Sequence, residues 1–338
     1  MTDDIANMSD EDFKKLMKDE LSYIGDEKKD MIMFDNVFMD DSEVAEIHPN
    51  EYLAKVFTTL SEKMPNFQEY TFIINSSLSS EKPQTTDLSW MGDKRVLIWL
   101  SNEHKYAPMD LLKNNYHHIF ANYYWDTENV TSIPLGYYAN SKDAVQDELY
   151  DIVIPMKERM LNMSFIGCLN KNRLQLSSLI SKLPRWLLVL LSACNNDLKL
   201  TLVNGFSHWF RPKEYYKFTG EFASGLNRAM YLNILRSSKI TLCPRGWSNV
   251  ESFRIYESMR AGCVTITEKL PDRSYYKDIP AIQVDNWKEG LDLARSLLND
   301  RGGLLTRLGE ASRLFYEAKL SPEATAKIIM DKLAEKAI

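Results

Sequence analysis

The sequence has few of the residues that staple a small fold. Its 4 cysteines in 338 residues, Cys168, Cys194, Cys243 and Cys263, include no C-x-x-C pair and sit in apolar surroundings. That excludes a disulfide framework and a zinc ribbon, and a reducing cytoplasmic compartment is expected. Glycine (13) and proline (12) are too sparse for a fibrous or linker-dominated chain. Long hydrophobic runs are missing. The longest, Trp186 to Cys194, falls well short of the ~18–20 residues that span a bilayer. The amino-terminal Met1-Thr-Asp-Asp-Ile has no apolar core, so no secretory leader is expected. Excess positive charge is also lacking: 41 Lys and Arg against 47 Asp and Glu give −6. A broad, non-specific grip on nucleic acid is therefore not expected, although a local basic groove stays open. The absence of a G-x-G-x-x-G after the first strand sets aside an epimerase or other oxidoreductase of the dinucleotide-binding kind.

What is present is a repeated alternation of β-like and helical segments. Ser9 to Leu21 reads as a capped helix with one modest apolar face, either a docking helix or an arm. Tyr52–Lys63 carries Leu53, Val56, Phe57 and Leu60 on one stripe. Strands are predicted at 70–75, 95–100, 118–121 and 130–134. After a polar, acidic interval from Asn140 to Glu158 the pattern restarts, with strands at 163–167, 198–203, 239–243, 263–267 and 281–285. Helices are predicted at 170–183 and 227–236, between the strands at 239–243 and 263–267, and from Trp287, Leu304 and Pro322. The fold class is α/β, with two Rossmann-like, doubly wound domains facing a cleft. The expected domains are 1–150 on the acceptor side and 151–320 on the donor side, with a helix at 321–338 returning to the first.

The most informative stretch runs from Lys239 to Thr267: strand, glycine turn, helix, glycine turn, strand. Pro244 ends the first strand. Gly246 permits a tight turn, and Ser248 or Asn249 is placed to cap the helix, whose free N–H groups suit an anion such as a diphosphate. Arg254 and Glu257 lie three apart and share a face. A guanidinium suits phosphate oxygens and a carboxylate suits ribose hydroxyls. An ordinary intrahelical Arg–Glu pair has the same spacing.

Cys243-Pro-Arg-Gly246, Ser252-Phe-Arg254, Glu257 and Ala261-Gly-Cys-Val264 resemble the signature of exostosin-like glycosyltransferases, inverting enzymes of GT-B architecture. Phe165-Ile-Gly167 followed by Asn172-Arg173 is similar to that family's strand-glycine-arginine segment. The resemblance covers Phe165 to about Thr267. It implies a UDP-sugar donor as substrate and no further cofactor, with Arg173, Arg245, Gly246, Ser252 and Arg254 at the phosphates or donor and Glu257 at the ribose. It also implies transfer without a metal, in keeping with the lack of an Asp-x-Asp on a strand end.

An inverting transfer needs a base for the acceptor proton. That base is expected on a loop after a first-half strand. Glu103 ranks first, His104 second and Asp126 third. Tyr123, Tyr124 and Trp125 are either a sugar-stacking platform or core, and His208–Pro212 with Lys213–Lys217 form one aromatic and basic loop. The expected acceptor is a glycan, a glycolipid or a hydroxylated base in DNA, with peripheral membrane contact allowed. An exposed apolar helix would favour a membrane-linked acceptor. The alternative is a non-catalytic nucleotide-sugar-binding or assembly protein.

Overall fold

The computed structural model describes residues 34–39, 50–75, 92–100, 115–137, 152–209, 213–221 and 226–336. Ser9–Leu21, Glu103 and His104 lie outside them. The chain divides into two compact units. One holds the described residues up to Pro134 together with those from Pro322 onward. The other holds Leu135–Tyr137 and the described residues from 152 to Ser321.

The first unit is a parallel sheet of β1 (Val37–Met39), β2 (Thr71–Asn75), β3 (Arg95–Trp99), β4 (His118–Ala121) and β5 (Val130–Ser132), in that spatial order. Every strand pair is parallel, and the described helix Asn50–Lys63 makes the crossover between β1 and β2. Helix α1 (Asn50–Lys63) buries the predicted stripe, with Val56, Phe57 and Leu60 fully enclosed. Phe57 meets Phe72 of β2 edge-on at 5.3 Å. The last helix, α9 (Pro322–Glu335), packs on α1, and the Tyr52 hydroxyl lies 2.5 Å from Thr325 Oγ1.

The second unit contains β6 (Leu161–Cys168), α2 (Leu174–Ser181), α3 (Arg185–Cys194), α4 (Asn196–Trp209), β7 (Glu214–Thr219), α5 (Arg228–Ser237) and β8 (Ser238–Cys243). It continues with α6 (Phe253–Arg260), β9 (Val264–Glu268), β10 (Ile282–Val284), α7 (Trp287–Leu298) and α8 (Leu304–Phe315). Its sheet order is β10-β9-β8-β6-β7, again all parallel. Phe165, Phe218, Ile240, Leu242, Val264, Ile266 and Trp287 fill one core.

Three expectations are corrected here. Residues 198–203 are helix rather than strand. Leu198-Lys-Leu-Thr-Leu-Val alternates with period two, yet its buried positions are Lys199, Val203 and Ser207, spaced by four. Asn195 Oδ1 accepts from the Leu198 N–H at 2.9 Å and fixes the start of that helix. The strand is instead β7, so Glu214–Lys217 is strand and only Lys213 lies in the turn before it. Finally, the cap of α6 is Ser252, not Ser248 or Asn249.

Candidate functional site

In the second unit the first strand, β6, pairs with β7 on one side and with β8 on the other. The winding therefore reverses between β6 and β8. In open α/β sheets, ligands collect beyond the carboxyl ends of the strands at such a reversal. Here those ends are Cys168 and Cys243, and the residues that follow them interlock.

A 3-10 turn at Lys171–Arg173 follows β6. Asn170 Oδ1 accepts from the Asn172 and Arg173 amides, which orients the turn. Asn170 and Asn172 Nδ2 then donate to the Gly246 carbonyl at 3.2 and 3.0 Å, and Asn172 also reaches the Trp247 carbonyl at 2.6 Å. Arg173 is buried. Its Nε donates to the Arg245 carbonyl at 2.9 Å and its Nη1 to the Cys168 carbonyl at 2.7 Å. Arg173, read from sequence as a donor contact, thus spends two donors tying the end of β6 to the turn after β8. The Gly246 N–H donates to the Asn249 carbonyl at 2.8 Å and closes that turn. Left-handed backbone falls on Gly262 instead.

Arg245 is part-exposed. Its Nε lies 3.7 Å from Glu268 Oε2 and its Nη2 donates to the Ser248 carbonyl at 3.1 Å. Glu268 is itself held by Trp287 Nε1 at 3.0 Å, so a carboxylate at the end of β9 fixes this arginine.

Helix α6 begins at the same edge. Ser252 is its N-cap residue, but the side chain makes no capping bond; its Oγ is buried without a protein partner. Such a group calls for a specific explanation. The residue before it, Glu251, is locked by Arg273 (Nη2–Oε2 2.8 Å) and by the Tyr275 hydroxyl at 3.1 Å, all three buried.

Arg254 lies in the first turn of α6. Its Nε donates to the Ile166 carbonyl at 2.6 Å, and its guanidinium lies over the Phe165 ring. This path exists because residue 167 is glycine. A Cβ there would sit 2.6 Å from Arg254 Cζ and 3.0 Å from Nε. Glu257 is buried and accepts from the Tyr231 hydroxyl at 2.5 Å. Arg254 and Glu257 therefore reach separate partners on β6 and α5. Burial raises the thiol pKa of Cys168, only partly countered by Arg173 and Arg254, and raises that of Cys243, so neither presents a ready thiolate.

Arg173, Arg245, Gly246, Ser252, Arg254 and Glu257 thus come from the switch-point segments and α6. Asp126 belongs to the first unit, where it is exposed and its Oδ1 accepts from the Ser132 amide at 2.6 Å. The aromatic trio beside it splits: Tyr123 is core, with a left-handed φ of 63°, and Trp125 is exposed. Among the described residues, no group of three or more His, Cys, Asp or Glu could hold a metal ion. Sequence reasoning missed Glu268, Glu251, Tyr231 and the carbonyl-gripping role of Asn170. Their roles depend on partners 19 or more residues away in sequence, which no local pattern announces.

The arrangement offers a helix start and two guanidinium groups to an anion, with a buried carboxylate one turn further along α6. Residues 218–293 match the family model of the RXYLT1 C-terminal domain, which belongs to the exostosin-like glycosyltransferases. That segment contains Arg245, Gly246, Ser252, Arg254, Glu257 and Tyr231. No curated protein matches the sequence. Among solved structures, a glycosyltransferase from Rickettsia africae is 12% identical with a TM-score of 0.45, covering 88% of this chain and 83% of that one. Anabaena Alr3699/HepE in complex with UDP and glucose is 10% identical with a TM-score of 0.44, covering 83% and 81%. A TarM variant from S. aureus is 12% identical with a TM-score of 0.45, covering 86% of this chain and 59% of that one. The chain is an α/β protein of two parallel-sheet domains, the second of which contains the segment that matches the RXYLT1 C-terminal domain model.

Proposed function

We propose that the protein is an inverting glycosyltransferase that moves a sugar from a UDP-sugar to a hydroxyl acceptor. One observation carries the reading. Within the segment that matches the family model, Ser252 has an orphaned buried Oγ at the start of α6, and Arg254 reaches from the same helix turn to the carboxyl-terminal part of β6. The start of α6 and the arginines bind the diphosphate and stabilise its departure as charge builds on the leaving oxygen. Glu257, oriented by Tyr231, binds the ribose hydroxyls. With two arginines and a helix dipole supplying positive charge, transfer proceeds without a metal. The acceptor proton passes to a base of the first unit, with Glu103, His104 and Asp126 as candidates in that order. The acceptor is a glycan or glycolipid hydroxyl.

Calorimetry with UDP and a panel of UDP-sugars, followed by proton NMR of the product anomer, tests this reading. Wild-type protein binds UDP and hydrolyses one UDP-sugar slowly without acceptor, and Glu257→Ala weakens binding about 10-fold or more through loss of a charged hydrogen bond. Absence of UDP binding by the wild type refutes the donor site. Tight binding with no turnover on any sugar or acceptor favours the assembly role instead.

A further inference from the structure

We infer that the outer face of α3 docks the protein on an anionic lipid surface. Trp186, Val189, Leu190 and Ala193 are spaced i, i+3, i+4 and i+7, which places them on one face of that helix. All four are exposed, Trp186 at 68%, Val189 at 56% and Leu190 at 54%. The opposite face carries Leu188, which enters the core, with Leu187 and Leu191 half-buried beside it. A helix apolar on both faces belongs in an interior, yet this one is covered on one side only. Helix α4, packed against α3, adds Leu198 and Phe206, both exposed. Scattered surface apolar residues are ordinary, whereas a tryptophan-led cluster on one helix marks an interaction surface.

Charge selects the occupant. Between Glu158 and Asp197 the sequence contains no acidic residue, in a chain whose net charge is −6. The exposed cations Lys171, Lys182 and Arg185 fall within this stretch. Arg185 opens α3 and Lys182 stands just before it, at the helix end where the dipole disfavours cations, and the first turn of α3 holds no acid. Helix stability therefore does not account for them. Cations beside an exposed tryptophan and aliphatic face match the headgroup and acyl layers of an anionic bilayer. No helix among the described residues is long and apolar enough to cross a membrane, and α3, at 10 residues, would lie in the interface plane.

The test is co-sedimentation of the full chain with vesicles of phosphatidylcholine alone or containing about one third phosphatidylglycerol. The protein sediments with the anionic vesicles, and high salt reduces the bound fraction. Trp186→Ser/Val189→Gln/Leu190→Gln lowers the apparent lipid affinity about tenfold or more, and Lys182→Glu/Arg185→Glu lowers it and abolishes the salt dependence. Both variants keep the wild-type melting temperature and UDP affinity, which separates this inference from the donor-site reading. Three outcomes overturn it: no sedimentation with anionic vesicles, equal binding by wild type and the triple variant, or a self-associated wild type that ignores lipid and becomes monomeric in the triple variant.

Discussion

Gly167→Ala is the sharpest probe of the site, because intrinsic propensity and tertiary contact predict opposite signs. The glycine lies inside β6 without a left-handed φ, so alanine suits the backbone and would stabilise the strand by about 0.5–1 kcal/mol. The new methyl, however, would overlap the Arg254 guanidinium, 2.6 Å from Cζ. The side chain must swing away. It then loses the Nε bond to the Ile166 carbonyl, about 1.5–3 kcal/mol for a charged donor, and the contact with Phe165, about 0.5–1 kcal/mol. The expected net loss is about 1–3 kcal/mol, at about 2–4 °C in Tm per kcal/mol for a unit of this size. UDP affinity falls by about 10–100-fold, as in Arg254→Ala. In the Arg254→Ala background Gly167→Ala keeps only its strand gain of about 0.5–1 kcal/mol, so a double-mutant cycle returns about 2–4 kcal/mol of coupling. Calorimetry and thermal melts on the four proteins measure all of this. A Gly167→Ala protein that melts at or above wild type and binds UDP within about twofold refutes the proposed geometry and its phosphate role together.

Arg173→Lys and Arg254→Lys should diverge. A lysine cannot serve the Cys168 and Arg245 carbonyls with two forked donors, so the first change lowers Tm by several degrees, whereas the second mainly weakens UDP binding, read by melting and calorimetry side by side. Arg273→Met strands buried Glu251 and costs about 3–5 kcal/mol in chemical denaturation; adding Glu251→Gln restores much of that loss. His118 is buried, and desolvation, reinforced by Lys336 and Lys332, pushes its pKa down to about 3. The unfolded chain takes up a proton below about pH 6.5 that the fold refuses, so stability is full above that pH and declines as pH falls toward 3. The loss is about 2 kcal/mol by pH 5, and in His118→Gln the slope of urea-derived stability between pH 6.5 and 5 flattens.

The strands from 118–121 and 239–243 were legible because their side chains are buried on both faces of a parallel sheet, leaving short unbroken apolar runs. Leu198–Val203 misled for a physical reason. A helix that covers a sheet with one narrow stripe, here Lys199, Val203 and Ser207, leaves its other positions unconstrained, and these happen to alternate. β7 was hidden by the reverse effect: Glu214, Tyr215 and Lys217 are half-buried and read as polar loop. At the site, the residue types were readable and their division of labour was not. Arg173 and Arg254 are both arginines near Phe165, yet one is buried and bonded to two carbonyls, while the other makes its hydrogen bond among the described residues through Nε alone. Spacing along a chain cannot separate these roles, because the carbonyls that engage Arg173 belong to Cys168, at the end of β6, and to Arg245, just beyond the end of β8.

That division follows from the topology. At a switch point the segments after β6 and β8 diverge to either side, so nothing in the sheet ladder holds them to each other. Asn170, Asn172 and Arg173 supply the missing cross-link by donating to the Arg245, Gly246 and Trp247 carbonyls. Glu268 does the same from β9 through the Arg245 side chain. The turn is thereby fixed from two sides before any ligand arrives, and its geometry need not be ordered at the moment of binding. Preorganised dipoles and cations stabilise developing charge only when their orientation costs nothing at the time. A set of buried side-chain bonds to backbone carbonyls, with Ser252 Oγ and the Arg254 Nη groups not drawn into it, is what such a requirement predicts.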